Sequence, residues 1–400
     1  MHLQRVQVPD FRVLKDIDIT FEKDFFPRIF PLGSLNGGGK STLLQLIFIL
    51  LHCSADPEKR WFIINLLEGF RIPEGTDQKT LAKFEIWDGQ RIIYLEYLVL
   101  LESYFSDLSN NTENKTFLTS ESIEEEQIFR NKPKHIIHYS KYILACTYLT
   151  TVDENLIVCD QSTNLDFDKT DIFLESLSKK VFLASPSTQI FLFLSKKYRK
   201  SLFRNNKISE NQQDSPKKID IEWEWEYAKN KLTNFFSYDF FSVDVLIQSF
   251  ITARDQDFEE ARLTEGKYGN RYEGLLSDFN NFLIDKKINI DQDLLGINFK
   301  TQRNGKTIEL YPEDLSHGEL KRLSLYVWLK YSNIENAIIL FDEIEIALHP
   351  DWQYQIIRDL EEWGPTNQYI LATHSYELCQ ALTPAHVKEI EPKLLNQINN

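Results

Sequence analysis

The stretch GSLNGGGKST, residues 33–42, has the residue types that can hold the phosphates of a nucleotide. Four of the chain's 14 glycines fall within seven of these positions, and a lysine and two hydroxyl residues follow. Glycines let a loop bring backbone N–H groups and the start of the next helix close to phosphate oxygens. We therefore expect Lys40 to reach the β- and γ-phosphates and Ser41 to bind Mg²⁺, with Thr42 next along the helix.

The same loop departs from the usual phosphate-binding pattern at its first glycine. The pattern G-x-x-x-x-G-K-[ST] requires glycine at position 34, where this chain has Ser34, with Gly33 one place earlier. A serine is tolerated there if its φ stays negative. A flexible glycine turn remains the alternative interpretation of this motif taken by itself. The other residues expected to contact nucleotide here are Asn36, Gly37, Gly38 and Gly39.

A second candidate for chemistry is a pair of acids in AIILFDEIEIALHPDWQ, residues 337–353. Asp342 and Glu343 end a run of apolar residues that is typical of a buried strand. In a nucleotide hydrolase, such an aspartate orients the Mg²⁺ shell and the next carboxylate takes a proton from the attacking water. Two solvated acids at a strand end are the alternative, although that interpretation does not account for the glycine loop.

Two shorter segments complete the set. LSHGELKR, residues 315–322, combines Ser316, Gly318 and Glu319 at an apparent helix start, where backbone N–H groups can meet a phosphate. An ordinary helix N-cap is the alternative. ILATHS, residues 370–375, places His374 just past a strand, where an imidazole can hydrogen-bond a γ-phosphate or serve a structural role.

Composition limits the possible partners and location. The formal net charge is -15 with an isoelectric point near 5.1, so long-range electrostatics repel a polyanion and any nucleic-acid contact must be local. The four cysteines form no CxxC pair, which argues against a zinc ribbon or a disulfide framework. No signal peptide and no long apolar stretch is apparent, so we expect a cytoplasmic protein without membrane contact. The best positive cluster is Lys196, Lys197, Arg199, Lys200, Arg204 and Lys207, which is either a solvated helix face or a nucleic-acid site.

Alternation of apolar and polar residues predicts the elements that must position these groups. The first 20 residues and residues 84–101 predict strand hairpins, and residues 43–53 predict a buried helix. The last 110 residues predict a hairpin, a helix near 318–332, the strand AIILF, a helix near 351–363 and the strand QYILAT. We expect an α/β protein with three parts: an N-terminal lobe at 1–200 with a polar surface insertion near 106–135, a helical insertion at 201–290, and a C-terminal lobe at 291–400.

The four motifs occur in one order, which resembles that of the ABC-type ATPase heads of the SMC, RecF and OLD families. The pattern DExExxLHPxxQ looks most like OLD/RecF-like AAA ATPases of bacterial phage-defence operons, with Ile344 where that pattern usually has proline. The resemblance is specific at 1–52 and 296–376. It implies a P-loop NTPase fold, with a mixed N-terminal β lobe and a helical insertion, that binds ATP and Mg²⁺.

The resemblance also implies an assembly and further site residues. Two heads would enclose two ATPs, each bound by the P-loop of one copy and by Ser316, Gly318 and Glu319 of the other. Gln189 is the candidate for a glutamine that senses Mg²⁺ and the attacking water, with a polar loop residue as the alternative. Arg12 matches an arginine that often approaches the nucleotide in such heads.

Only 26 residues follow His374, so no nuclease domain is expected there and the effector would be a separate chain. The arrangement resembles the ATPase subunit of Septu-like systems, which pair such an ATPase with an HNH nuclease. The resemblance implies Mg²⁺-dependent ATP hydrolysis, with Glu343 as the general base, by a homodimer or higher homo-oligomer that controls such a nuclease or another toxin. A RecF-like ATPase in DNA repair and an ATP-bound scaffold with little turnover remain the alternatives.

Overall fold

The computed structural model describes most of the chain. The described residues are 1–34, 37–103, 137–139, 142–150, 167–194, 227–228, 230–238, 242–264, 266–283, 285–290, 297–332 and 334–390. Three features predicted from the sequence lie outside these ranges in whole or in large part: Asn36 of the glycine loop, the polar insertion near 106–135, and the basic cluster at 196–207.

The described strands are β1 (His2–Phe11), β2 (Leu14–Thr20), β3 (Ile29–Gly33), β4 (Gln78–Trp87), β5 (Ile92–Leu101), β6 (Ile137–Tyr139), β7 (Tyr142–Thr150), β8 (Val181–Ser185), β9 (Phe235–Ser237), β10 (Lys286–Ile290), β11 (Ile297–Arg303), β12 (Lys306–Leu310), β13 (Ile338–Asp342), β14 (Gln368–Ala372) and β15 (Lys388–Glu389). The described α-helices are α1 (Lys40–Phe48), α2 (Arg60–Leu67), α3 (Phe167–Ser178), α4 (Ser242–Leu263), α5 (Arg271–Phe282), α6 (His317–Tyr331), α7 (Pro350–Trp363) and α8 (Tyr376–Gln380).

A six-stranded parallel sheet forms the centre of the molecule. Its strand order is β15-β3-β14-β13-β8-β9, and every pairing is parallel. The strands β13 and β14 are buried along their whole length, as expected where helices and a second sheet cover both faces of a parallel sheet. All six carboxyl ends therefore point to one edge.

The two faces of this sheet belong to different hydrophobic cores. Ile338 and Leu340 of β13 pack with α1 and with the large antiparallel sheet, whereas Ile339 and Phe341 pack with α4 to α7. Successive side chains of a strand point to opposite faces of the sheet. The strand β13 therefore contributes side chains to both hydrophobic cores.

The N-terminal lobe contains a six-stranded antiparallel sheet in the order β2-β1-β4-β5-β7-β6. The predicted hairpins are confirmed, one turning at Arg12 and Val13 and the other at residues 88–91. The predicted buried helix at 43–53 is also confirmed, as α1 followed by a π-helical turn at Ile49–Cys53.

The range 201–290 is less uniformly helical than its apolar spacing predicts. It contains α4 and α5, which pack with α6 in one core, but β9 also lies in this range and pairs with β8 in the central sheet. The prediction of helix is therefore wrong at 235–237 and at β10, because pairing of β9 with β8 and of β10 with β11 decides the conformation of these segments. The division into three parts remains a prediction.

The last part of the chain follows the predicted order of elements. The hairpin β11–β12 turns at Asn304 and Gly305, which both have positive φ, as a tight hairpin turn requires. The helix α6, the strand β13, the helix α7 and the strand β14 follow as expected. Within the described residues, no helix is both long and apolar enough to span a bilayer.

Candidate nucleotide site

Three predicted motifs meet at the carboxyl edge of the central sheet. The glycine loop follows β3, the two acids end β13, and His374 follows β14, and these three strands are neighbours in the sheet. Ligands of open parallel sheets bind outside the carboxyl ends of the strands. The fold therefore brings together groups that are more than 300 positions apart in the sequence.

The glycine loop has the backbone geometry for which its glycines are needed. Gly37 and Gly39 have φ of 80° and 92°, and Gly39 is the N-cap of α1. A Cβ at Gly39 would lie 2.6 Å from Leu14 Cδ2, so no larger residue fits against the β1–β2 hairpin. Gly37 is exposed with open space around it, whereas Gly38 is buried. The N–H groups at the start of α1 thus face an accessible edge.

Ser34 takes the place of the expected first glycine without strain, because it is not among the described residues with positive φ. The Lys40 ammonium donates to Ser34 Oγ at 3.0 Å and to its carbonyl oxygen at 3.2 Å. It also lies 3.5 Å from Nδ1 of His374. Burial lowers the pKa of Lys40, while the nearby carboxylates, Glu345 first, oppose that shift.

Ser41 and Asp342 form the contact that joins the loop to the acids. The Ser41 hydroxyl donates a 2.8 Å hydrogen bond to Asp342 Oδ1. Asp342 is only 2% exposed. Burial raises the pKa of Asp342 to about 7; the Ser41 hydrogen bond and Lys40 oppose this, and Glu343 and Glu345 add to it.

This pair of oxygens fits Mg²⁺, which is bound by one or two carboxylates together with water and phosphate oxygens. The described residues contain no cluster of three or more His, Cys, Asp or Glu for a metal ion, so water and phosphate oxygens would supply the other ligands. Gln189 contacts α1 one turn after Ser41. Its Oε1 accepts a hydrogen bond from Gln45 Nε2 at 2.9 Å. Thr42, next to Ser41, is half-buried.

The residues after β13 form a tight turn, residues 343–347, which we call the acidic turn. Glu343 has φ of 53° and Ala347 has φ of 67°, so two residues with a Cβ adopt the left-handed region. The Glu343 N–H donates to the carbonyl of Ala372, which ties the turn to β14. Glu343 itself is half-buried.

Glu345, in the middle of the acidic turn, contacts His374, although no role is predicted for it from the sequence. Its Oε1 accepts the His374 N–H at 2.7 Å, whereas Oε2 is buried without a hydrogen-bond partner. A buried carboxylate oxygen with a free lone pair is costly unless a proton, water or cation meets it. Its presence next to Lys40 and Asp342 fits a site built to receive a hydrated cation and phosphates.

The remaining residues of DExExxLHPxxQ support this edge. His349 is the N-cap of α7 and Pro350 is its first residue. Gln353 Nε2 donates to the Leu348 carbonyl at 2.8 Å, and Gln353 Oε1 accepts from Ser375 Oγ at 2.7 Å. Gln353 thus connects the acidic turn to the segment that carries His374.

The LSHGE segment, residues 315–319, begins α6 with a capping box. Ser316 Oγ accepts the Glu319 N–H, and Glu319 Oε2 accepts the Ser316 N–H at 3.0 Å. Glu319 Oε1 also accepts from Lys286 Nζ at 2.5 Å. Ser316 is exposed. The predicted helix cap is therefore present, and an exposed helix start remains for a second role.

Gly318 has a structural reason that is not apparent from the sequence. A Cβ at this position would lie 2.5 Å from the carbonyl oxygen of Ala347 and 3.1 Å from the Trp352 ring. The first turn of α6 therefore packs directly on the end of the acidic turn.

Arg12 lies at the turn between β1 and β2. Its guanidinium donates to the Leu66 carbonyl at 3.0 Å and lies over the Phe11 ring. The neighbouring Val13 packs against Gly39, so the hairpin that carries Arg12 borders the loop.

A cavity of about 360 Å³ lies away from this edge, beyond the far end of α1. His52, which lines it, donates from Nδ1 to the Ser178 carbonyl oxygen at 2.7 Å, and its Nε2 lies 3.1 Å from Lys59 Nζ. Burial and the Lys59 charge lower the pKa of His52 to about 4. Because Ser178 ends α3, three residues before β8 begins at Val181, the cavity borders the amino end of β8 and is not part of the nucleotide site.

Comparison with known proteins relates the chain to one family. Residues 162–380, more than half of the chain, match the family described as "AAA domain, putative AbiEii toxin, Type IV TA system". The match includes the LSHGE segment, both acids and His374, whereas the glycine loop precedes it.

Two curated relatives come from retrons. The chain is 29% identical over 141 residues to the "Retron Vc95 probable ATPase" of Vibrio cholerae serotype O1 biovar El Tor, covering 31% of this chain and 26% of that protein. It is 39% identical over 51 residues to the "Retron Ec83 probable ATPase" of Escherichia coli, covering 13% of this chain and 9% of that protein. The matched part is thus about a quarter or less of either relative.

Among solved structures, the SMC head domain from Thermotoga maritima is 10% identical, covers 95% of this chain and 92% of its own, and has a TM-score of 0.41. The SMC head bound to the C-terminal winged-helix domain of ScpA is 11% identical with the same coverage and a TM-score of 0.37. Because both scores are low, the assignment of fold rests on the family match and on the strand order.

Proposed function

Since the chain belongs to the AAA domain family that its residues 162–380 match, we propose that it is a Mg²⁺-dependent ATPase of the ABC type. The observation that carries this proposal is the 2.8 Å hydrogen bond from Ser41 to Asp342. A hydroxyl at the start of a helix after a glycine loop, paired with an aspartate at the end of a buried strand, is the oxygen pair that holds Mg²⁺ in P-loop ATPases.

The side chains at this edge have separate roles in the proposal. The glycine N–H groups and Lys40 bind the phosphates, since the ammonium is held beside the loop by Ser34. Glu343 takes a proton from the attacking water, and His374, 3.5 Å from Lys40, contacts the γ-phosphate. Bound Mg²⁺ would neutralise charge on the phosphate oxygens during transfer. Gln189 and Arg12 are proposed to reach the metal shell and the nucleotide from the sides.

We place the LSHGE segment on the nucleotide of a second copy. Ser316 is exposed at the start of α6, and the capping box occupies only the N–H groups of Ser316 and Glu319. A helix N-terminus favours an anion. Two copies would then enclose two ATPs, and each site would need Ser316, Gly318 and Glu319 of the partner copy.

The cellular role that we propose is defence against phage, through control of a separate effector. The family description names a type IV toxin–antitoxin system, and the two curated relatives are named as retron ATPases. The ATP-bound dimer would hold or release a toxic partner, for which an HNH-type nuclease is our candidate. Such a protein would act in the cytoplasm.

Measuring the mass of the protein in solution tests the proposed dimer together with the roles of Lys40 and Glu343. We would measure wild type, Lys40→Ala and Glu343→Gln with and without ATP and Mg²⁺, alongside phosphate release. We expect ATP to convert Glu343→Gln to a stable dimer with only residual phosphate release, and we expect ATP to leave the mass of Lys40→Ala unchanged. Wild-type turnover in Glu343→Gln would remove the general base assignment.

The same measurement separates the alternative functions. An ATP-dependent dimer of the wild type with almost no phosphate release would support a regulatory scaffold. Phosphate release that rises steeply with DNA and falls steeply with salt would support a RecF-like role in DNA repair.

A further inference from the structure

A buried lysine joins the beginning of α6 to the acidic turn. The side chain of Lys321 is only 4% exposed. Its Nζ donates to the carbonyl oxygen of Ile346 at 3.1 Å and to that of Glu343 at 3.3 Å. The ammonium also lies 3.8 Å from the centre of the Tyr238 ring, in cation–π contact. Lys321 therefore holds the backbone of the turn at two points.

Those two points are the strained positions of the turn. Glu343 and Ala347 both have positive φ, a conformation that residues with a Cβ avoid. Lys321 binds the carbonyl of Glu343 itself and that of Ile346, which belongs to the peptide preceding Ala347. Hydrogen bonds from a charged donor are stronger than neutral ones, so this contact can offset the strain.

Tyr238 fixes the other side of Glu343. Its hydroxyl lies 3.2 Å from the carbonyl oxygen of Asp342 and 3.0 Å from that of Ala184. The peptide before Glu343 is thus held by Tyr238 and the peptide after it by Lys321, which rests on the Tyr238 ring. Only the side-chain torsions of Glu343 remain to be set.

The same lysine belongs to the helix that carries the LSHGE segment. Lys321 follows Gly318 by three positions, so both lie on one face of α6. Gly318 packs against the carbonyl of Ala347, where a Cβ would come within 2.5 Å. The start of α6 and the acidic turn are therefore in contact at two successive turns of the helix.

We propose that Lys321 is a positioning residue that fixes the backbone of Glu343 and couples its orientation to the position of the LSHGE segment. The proposal rests on the proposed function, in which Glu343 is the general base and the LSHGE segment binds nucleotide held by a second copy. Engagement of the segment in one site is then transmitted through Lys321 to the base of the other site. Each site hydrolyses ATP only when both are complete.

The decisive variant is Lys321→Met, which removes the charge and keeps the length of the side chain. We expect kcat to fall by about a hundredfold, as for a small misplacement of a reacting group. The Kd for ATP should stay within about threefold of wild type, because Lys321 does not touch the nucleotide. Unchanged kcat would overturn the proposal.

A double-mutant cycle with Glu343→Gln tests whether Lys321 acts through that acid. If it does, Lys321→Met costs no further activity in the Glu343→Gln background, because the two residues act as a unit. Losses that multiply in the double variant would contradict the positioning role.

Arg322→Met is the matched control, because Arg322 is the neighbouring, half-buried cation on α6 but pairs with Asp359 of α7 at 2.7 Å. We expect it to lower stability while kcat per folded molecule is unchanged. If Lys321→Met does not fold, Lys321→Gln replaces it as the test. Its side chain keeps an uncharged N–H donor group, so we expect an intermediate loss of kcat. An equal loss of kcat in Arg322→Met would mean that any such substitution in this part of α6 lowers kcat, which would contradict a specific role for Lys321.

Hydrogen exchange supplies a readout that does not require hydrolysis. In the acidic turn, the Ile346 N–H donates to the Glu343 carbonyl at 3.2 Å and the Leu348 N–H to the Glu345 carbonyl at 3.0 Å. Lys321→Met should speed exchange at these amides, and Arg322→Met should not. If wild type hydrolyses no ATP, the proposed function fails, yet faster exchange in Lys321→Met would still support the positioning role. Unchanged exchange would reject it.

Discussion

The Ser41 hydroxyl donates to Asp342 across a sequence separation of 301 positions, at a distance of 2.8 Å. This bond joins the first turn of α1 to the end of β13, so it reports directly on whether the loop and the acids form one site. Because a metal ion would bind both oxygens, the pair also gives a clear test of Mg²⁺ dependence.

Replacing Ser41 should weaken nucleotide binding only in the presence of Mg²⁺. We expect Ser41→Ala to lose at least about tenfold in affinity for ATP with Mg²⁺, because one oxygen ligand is removed. In EDTA its affinity should equal that of wild type. Ser41→Thr keeps the hydroxyl and is the control. Titration calorimetry in both buffers measures the effect, and an equal loss in EDTA would argue for a purely structural serine.

Asp342→Asn should stabilise the fold while removing metal binding. Burial raises the pKa of Asp342 to about 7, so between pH of about 4 and 7 the folded chain retains a proton that the unfolded chain loses. The stability contributed by the protonated group is thus present at low pH and lost as pH rises towards 7. The gain from asparagine should be small near pH 4 and reach at most about 4 kcal/mol above pH 7.

Thermal unfolding in EDTA at several pH values measures that gain. Glu362→Gln is the control, since Glu362 is exposed on α7 and its replacement should add no pH-dependent stability. A gain in Asp342→Asn that is the same at pH 4 and pH 8 would mean that ionisation of this carboxyl is not what costs stability.

Glu345 should matter for hydrolysis through His374. Its Oε1 accepts the His374 N–H at 2.7 Å, and its charge lies close to Lys40. We expect Glu345→Ala to lower kcat by about tenfold to a hundredfold, since loss of the acceptor frees the histidine segment. Glu345→Gln keeps an acceptor and should retain more activity. Phosphate release is measured in both variants. An equal loss of kcat in the two would mean that the negative charge of Glu345, rather than its hydrogen bond to His374, supports hydrolysis.

Gly318→Ala should push α6 away from the acidic turn. The new Cβ would meet the Ala347 carbonyl at 2.5 Å, so we expect a loss of about 1–3 kcal/mol in the free energy of unfolding. Gly274→Ala is the matched control, because Gly274 lies inside α5 with open space around it. That change should stabilise by about 0.5–1 kcal/mol. Denaturant unfolding compares the two, and a neutral Gly318→Ala would mean that the turn adjusts freely.

Much of the nucleotide site could be predicted from the sequence because its residues lie next to strands with strong patterns. The runs before Ser34, Asp342 and His374 predict buried strands, and the carboxyl ends of parallel strands meet at one edge. The hairpins were equally predictable from alternation and from turns at Gly89 and Gly305.

Other features depend on contacts between distant segments and leave little local signal. The strand β9 is three residues within an aromatic run, and its pairing with β8 decides its conformation. Lys321 follows the LSHGE segment directly, yet its burial under the acidic turn arises only when α6 packs there. Gly318 is a similar case. Glycine is required there because the Ala347 carbonyl leaves no room for a Cβ, and not because the backbone has a positive φ.

The strand order of the central sheet sets a schedule for making the protein. The neighbours of β3 are β14 and β15, which begin at Gln368 and Lys388. At about 5–20 residues per second, a ribosome needs roughly a quarter of a minute to a minute to reach them after β3 has emerged. During that time the apolar β3 has no strand to pair with. Synthesis of this chain thus passes through a stage at which the nucleotide loop exists without its site, and chaperones have their longest opportunity to bind it.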